Sequence, residues 1–177
     1  MAIVINLFSG PGVGKSTTAA RVFAELKMKG INCEMALEFA KDKVWEDSFK
    51  TLENQIYVFG KQFHRIWRLK DKVDVIICDS PLPNSIIYDS EKENELFHKF
   101  IIEQFNKFDN LNFFIERTVE YRKDGRYQTK EEAIKLDETI RNVLIGNEIY
   151  YTSVNVDNAV KKIVDATLNK MEKNKYE

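Results

Sequence analysis

The chain has few of the residues that staple small folds together. Its 177 residues include two cysteines, three prolines and seven glycines. Cys33 and Cys78 lie in apolar runs without the paired spacing of a zinc site or a disulfide framework, so they read as buried thiols of a reducing compartment. The only histidines, His64 and His98, form no metal-ligand pattern and read as structural or surface residues. No window approaches ~18 apolar residues. The N-terminus also lacks the charged region, apolar stretch and cleavage site of a signal peptide. These absences point to a cytoplasmic protein with no membrane partner. Charge of one sign is missing too. Twenty-seven Lys and Arg face 28 Asp and Glu, which removes a broad basic field for nucleic acid while leaving room for a local patch.

What is present suits one compact domain spanning residues 1–177. Hydrophobic residues make up 44% of the chain, with 12 Phe, 7 Tyr and 2 Trp to fill a core. Short β-branched runs alternate with amphipathic stretches. Strands are predicted at 2–8, 31–39, 72–81, 111–117 and 149–156. Helices are predicted at 15–30, across Leu52, Ile56, Phe59, Phe63 and Ile66, and at 91–108, 130–144 and 158–173. Strands alternating with helices predict an α/β fold with right-handed crossovers and a mainly parallel sheet, in which ligands sit at the carboxyl ends of the strands. Ser9 to Ser16, Glu38, Asp79, Arg117, and Asp157 with Asn158 all fall at those ends.

Three of the seven glycines lie within five residues, in LFSGPGVGKSTTAA (7–20). A phosphate cradle needs backbone N–H groups aimed inward at a helix N-terminus, with glycine where the backbone turns left-handed or approaches oxygen closely. Gly10, Gly12 and Gly14 supply that freedom, with Pro11 and Val13 between them. Lys15 is placed to reach the β and γ phosphates, Ser16 to ligate magnesium, and Thr17 to complete the cradle. The usual pattern begins with glycine where this chain has Ser9. That position eases the exit from the strand, and a small residue with negative φ can fill it.

Asp79 ends an apolar strand beside the loop, the arrangement that holds magnesium directly or through water. Glu38, on a neighbouring strand end, is either the base for an attacking hydroxyl or a solvated turn residue. Gln55, Phe59 and Gln62 share one side of the long helix. They are either a core ring with surface glutamines or a surface that reads and stacks on an acceptor. Basic residues between 117 and 129, chiefly Arg117 and Arg126, are expected to form a short lid that closes over a nucleotide and stabilises the transferring group.

With FSGPGVGKST, EFAKD, CDSP and GRYQTKEEA, the sequence resembles the small P-loop kinases of the nucleoside and nucleotide kinase superfamily over nearly its whole length. It is similar to phage-type ATP-binding proteins of that group and, more distantly, to nicotinamide riboside kinases. The resemblance implies a three-layer P-loop NTPase fold with strand order 2-3-1-4-5, an arginine-bearing lid, and adenine beside residues 155–158. It implies ATP and Mg2+ as cofactors, Lys15 and Ser16 on phosphate and metal, and Glu38 or Asp79 as base. CDSP lacks the acceptor-phosphate arginines of adenylate, thymidylate and deoxynucleoside kinases. The expected acceptor is therefore a hydroxyl on a small nucleoside-like molecule, with a hydroxymethylated pyrimidine within phage DNA as the alternative. A switch or ATPase without a phosphoryl acceptor is the alternative of another class. If phage-encoded, the protein works in the host cytoplasm. The oligomeric state is left open, a homodimer included.

Overall fold

Parallel strands need long crossovers, and the amphipathic stretches of this chain supply them. A computed structural model describes residues 1–89, 94–117 and 130–176. Its strands are β1 (Ile3–Phe8), β2 (Cys33–Ala36), β3 (Val75–Cys78), β4 (Asp109–Glu116) and β5 (Thr152–Asn155). All pair in parallel, in the order β2-β3-β1-β4-β5 that the resemblance implies. The helices are α1 (Lys15–Met28), α2 (Phe39–Trp45), α3 (Phe49–Leu52), α4 (Gln55–Trp67), α5 (Asn84–Tyr88), α6 (Glu95–Asn106), α7 (Lys130–Gly146) and α8 (Val156–Lys173).

The middle strand is buried along its whole length because helices cover both faces of the sheet. Ile5 and Leu7 join one core with Ala19, Val22 and Leu26 of α1 and Ile163 and Val164 of α8. Val4 and Phe8 point the other way, into a second core with Phe59 and Ile66 of α4, Ile101 and Phe105 of α6, and Ile140 and Leu144 of α7. Each fully buried aliphatic or aromatic side chain contributes roughly 1.5–3 kcal/mol. Asn6 interrupts this apolar strand. Its amide donates to Asn110 Oδ1 at 2.9 Å and to Asn112 Oδ1 at 3.0 Å, a polar seam between β1 and β4.

The sequence and the structure differ mainly at element ends. The expected second strand is shorter, because the chain turns at Glu38 and buries Phe39 in the short helix α2. The long helix expected from Leu52 breaks at Asn54, whose Oδ1 accepts from the Tyr57 N–H at 3.1 Å and caps a new helix, α4. The buried face of α4 is also turned from the one expected: Gln55, Val58, Phe59, Gln62 and Ile66 are inside, and Ile56 is exposed. Helix α5 falls between the predicted strand at 72–81 and the predicted helix at 91–108, where the sequence pattern predicts no element. No helix among the described residues is long and apolar enough to cross a membrane.

Candidate functional site

The loop between β1 and α1 takes its shape from glycines used in two ways. Gly12 (φ 88°) and Gly14 (φ 93°) have left-handed backbones, where a side chain would be strained. Gly10 has no such φ and is glycine for another reason. A Cβ there would lie 2.8 Å from the Ala133 carbonyl oxygen and 2.9 Å from Asp137 Oδ1, so α7 packs directly on the loop. Ser9 is buried at ordinary φ, and its hydroxyl donates to the Gly10 carbonyl at 3.2 Å.

Lys15 begins α1, and its ammonium bends back over the loop, donating to the Ser9 carbonyl at 2.8 Å and the Gly10 carbonyl at 3.1 Å. Burial pulls its pKa below the ordinary lysine range, while Glu38, Asp79 and Asp137 pull the other way. Ser16 and Thr17 follow in the exposed first turn, with Pro11 and Val13 holding the loop between the glycines. Ser16 Oγ donates to Asp79 Oδ2 at 2.8 Å. Asp79 is buried just past β3, and its Oδ1 has no hydrogen-bond partner among the described residues. A buried oxygen without a partner, beside a serine hydroxyl, is a donor set that fits magnesium, which takes one or two protein oxygens and completes its shell with phosphate and water.

Glu38 stands at the N-cap position of α2, past the carboxyl end of β2, and its side chain makes no capping hydrogen bond. Desolvation is the main cause that raises its pKa above the usual carboxylate value, with Asp79 adding to the rise and Lys15 opposing it. The mutual influence of Lys15, Glu38, Asp79 and Asp137 means that these groups share one neighbourhood. Tyr88, at the end of α5, belongs to it as well. About half of the residue is exposed, yet desolvation, then Glu38 and Asp137, push its phenol up to about 12.

Arg117 follows β4 and lies against the loop from the other side. Its Nε donates to Asp137 Oδ2 at 2.8 Å and its Nη2 to the Pro11 carbonyl at 3.0 Å. Nη1 is buried without a partner among the described residues, an orphan donor that suits an anion. Asp137 joins the two sides, because its Oδ1 accepts from the Gly10 N–H at 2.5 Å. One turn further along α7, Arg141 pairs with Glu116 at 2.5 Å and lies 3.7 Å above the Phe114 ring, which pins the helix to the end of β4. Sequence reasoning missed Asp137. Its signal was a carboxylate in the buried stripe of Ala133, Ile140 and Leu144.

Most of the other predicted residues are engaged in packing and capping. Phe59 packs among Phe63, Phe97 and Phe100 with ring centroids 5.8–5.9 Å apart. Gln62 is buried, its Oε1 accepting from the Phe39 N–H at 2.9 Å and its amide donating to Cys78 Sγ at 3.7 Å. Gln55 is buried and donates to the Leu52 carbonyl at 2.6 Å. Asn158 and Asn155 form a reciprocal capping box at the start of α8, with Asp157 in its first turn. Arg126 and the rest of the expected lid beyond Arg117 lie outside the described residues. A separate cavity of about 430 Å³ opens at the amino-terminal edge of the sheet between Met1, Lys70, Asp74 and Asn174, and no predicted site residue lines it.

A family model described as AAA domain matches residues 4–161. No curated protein sequence matches the chain. Many solved structures match, and two of them illustrate the shared fold. The NadR protein in complex with NR superposes with a TM-score of 0.65 at 16% identity, over 88% of this chain and 46% of its own. The NadR protein in complex with NAD and AMP-PNP gives 0.65 at 13% identity, over 93% and 48%. The chain therefore spans about half the length of these structures, and at such identities the likeness is one of fold. That fold is the P-loop NTPase-like α/β arrangement of five parallel strands with flanking helices.

Proposed function

The chain belongs to the AAA domain family, and from that premise we propose that it is an ATP- and magnesium-dependent phosphotransferase acting on a hydroxyl of a nucleoside, nucleotide or related acceptor. The observation that carries this reading is Asp79: one oxygen takes the Ser16 hydroxyl, and the other is buried without a partner beside the phosphate loop. Ser16 and Asp79 would hold magnesium, which supplies neutralisation of the phosphate charge. Residues 10–17 would cradle the phosphates, Lys15 leaving its two loop carbonyls to donate to phosphate oxygens. Arg117 Nη1 donates to the same anion, and Arg126 is assigned that task on its sequence position alone. Asp157 and Asn158 are assigned to adenine on the family resemblance alone.

Glu38 is the better candidate for the base. Asp79 is engaged with Ser16, whereas Glu38 has its pKa raised toward the range in which a carboxylate can accept a hydroxyl proton. NadR was solved with NR bound, which supports a nucleoside-like acceptor. Since the Gln55 amide N–H, the Gln62 amide and the Phe59 ring are engaged within the fold, α5 is the more suitable acceptor surface. It offers the Tyr88 phenol and the buried Asn84 Oδ1, which has no partner among the described residues. That same packing around the glutamines favours a second reading, an ATP-driven switch without an acceptor.

The deciding experiment supplies γ-labelled ATP and magnesium with two panels: free nucleosides and their monophosphates, and DNA with or without hydroxymethylated pyrimidines. Label in a free nucleoside-like acceptor is the expected result. Label only in polymer moves the acceptor into DNA. ATP hydrolysis with label in neither panel overturns the phosphotransferase in favour of the switch.

A further inference from the structure

The outer side of α4 carries a stripe for which the phosphate site has no use. Ile56, Tyr57, Lys61, His64, Trp67 and Arg68 are all exposed, and helical geometry places them within less than half of the helix circumference. No acidic residue occurs from residue 54 to 70, although acids and bases nearly cancel over the whole chain. The acids around the stripe are few. Glu53 and Asp71 flank it, Asp71 lying 3.8 Å from Lys70, and Asp42 is paired with Arg65.

Its rings and cations are interleaved. The Lys61 ammonium lies 5.3 Å from the Tyr57 ring, the His64 and Trp67 rings stack at 6.0 Å, and the Lys70 ammonium lies 5.7 Å from the Trp67 ring. Trp67 is 48% and Tyr57 42% exposed, so each leaves ring surface for a further partner. Aromatic faces alternating with cations, with Asp71 beside Lys70 as the one carboxylate close to the cations named, match a chain of stacked bases joined by phosphates.

We propose that this face of α4 binds a short stretch of single-stranded nucleic acid, its bases stacking on Tyr57 and Trp67 and its phosphates paired with Lys61, Arg68 and Lys70. A second copy docking stripe to stripe brings these cations against their own images, which charge complementarity opposes. Duplex DNA hides its base faces and leaves the rings without a partner. The proposal goes beyond the phosphotransferase reading and does not depend on it, because binding is measured without ATP.

The test follows the anisotropy of a short fluorescein-labelled oligothymidylate mixed with the full chain, in salt from about 50 to about 200 mM. Three phosphate contacts on a single strand give a log–log salt slope of about −2, and Lys61→Gln with Arg68→Gln brings it to about −0.7. Trp67→Leu weakens binding about five- to tenfold with the slope unchanged, and Tyr57→Leu, as a second ring variant, does the same. The proposal is overturned if the wild-type chain fails to bind at the lowest salt, if the charge variants leave the slope as it was, or if an unlabelled duplex competes as well as the single strand. Self-association in sedimentation velocity that Trp67→Leu abolishes also overturns it, and gives the stripe to a second copy.

Discussion

Around the loop after β1, at the ends of β3, β1 and β4, the groups proposed for the phosphates are the loop backbone and a few charged side chains: Lys15 on two loop carbonyls, with one Asp79 oxygen and one Arg117 N–H donor unpartnered among the described residues. On the side between β2 and β3, Gln62 and Gln55 already hold the Phe39 N–H and the Leu52 carbonyl, and Phe59 lies within a cluster of rings. The difference teaches that a side chain's chemistry becomes available for a ligand only where the fold leaves it unsatisfied. Gly12, Gly14 and Lys15 are set by the loop's own backbone. Amides on a helix are placed by packing, and packing here uses them.

The sharpest way to break this contrast is Lys15→Ala. It should remove several kcal/mol of transition-state stabilisation, roughly a hundredfold or more in kcat/KM, with an unchanged circular dichroism spectrum. Turnover at the wild-type rate would show that the donor side is not the phosphate site.

Asp137→Ala comes next. Removing one partner of a largely buried ion pair and orphaning the Gly10 N–H should cost about 3 kcal/mol of stability and weaken nucleotide binding as well. Denaturant titration and calorimetry read the two effects separately. A loss of stability with nucleotide affinity untouched would make Asp137 a structural brace only.

The side of Gln62, which the sequence offered as an acceptor surface, is tested by Gln62→Ala. It leaves the Phe39 N–H without its acceptor, which should lower stability by about 1–3 kcal/mol. An acceptor KM that stays constant sharpens the contrast, and one that rises tenfold in a well-folded variant breaks it.

The pH dependence of Glu38 has a defined sign. Its pKa is raised in the folded protein, so the folded state holds that proton more tightly than the unfolded chain does. Its contribution to stability is therefore fully present below the ordinary value of 4.5 and is lost as pH rises toward the raised value. Activity runs the other way, because a base must be deprotonated to act. Glu38→Gln should flatten the stability decline across that window and lower kcat at every pH, and a variant with wild-type kcat removes Glu38 from the chemistry.

The smallest effect should come from Ser9→Gly. Because the left-handed positions in the loop are Gly12 and Gly14, nucleotide affinity should move by well under ~1 kcal/mol. A tenfold gain by calorimetry would mean that Ser9 strains the cradle.

The same contrast explains what could be read from the sequence. The strand order came with the resemblance, and the alternation of short β-branched runs with amphipathic stretches announced the parallel sheet. Spacing also brought Lys15, Ser16 and Asp79 to one edge, because each depends on its own strand end. The face of α4 was not legible. Leu52 and Ile56 looked like the start of an apolar stripe, but Asn54 caps the helix between them and turns Gln55 and Gln62 inward. Nor was the cause of Gly10, which depends on α7 more than a hundred residues away rather than on the loop's own turn.

The asparagine seam across the middle of the sheet bears on how the chain finds its register. Apolar strands such as β1 and β4 offer each other several alignments of similar burial, and a slip by one residue turns every side chain to the opposite face. With Asn6 opposite Asn112 and also reaching Asn110, a slip by one residue takes the central amide away from both side-chain acceptors. That slip sets the amide opposite leucine or phenylalanine with its donors unmet, at a cost of about 1–3 kcal/mol. Asn6 thus acts as a proofreading element during assembly. Replacing it with valine would give a more apolar sheet that sorts its alignments less faithfully.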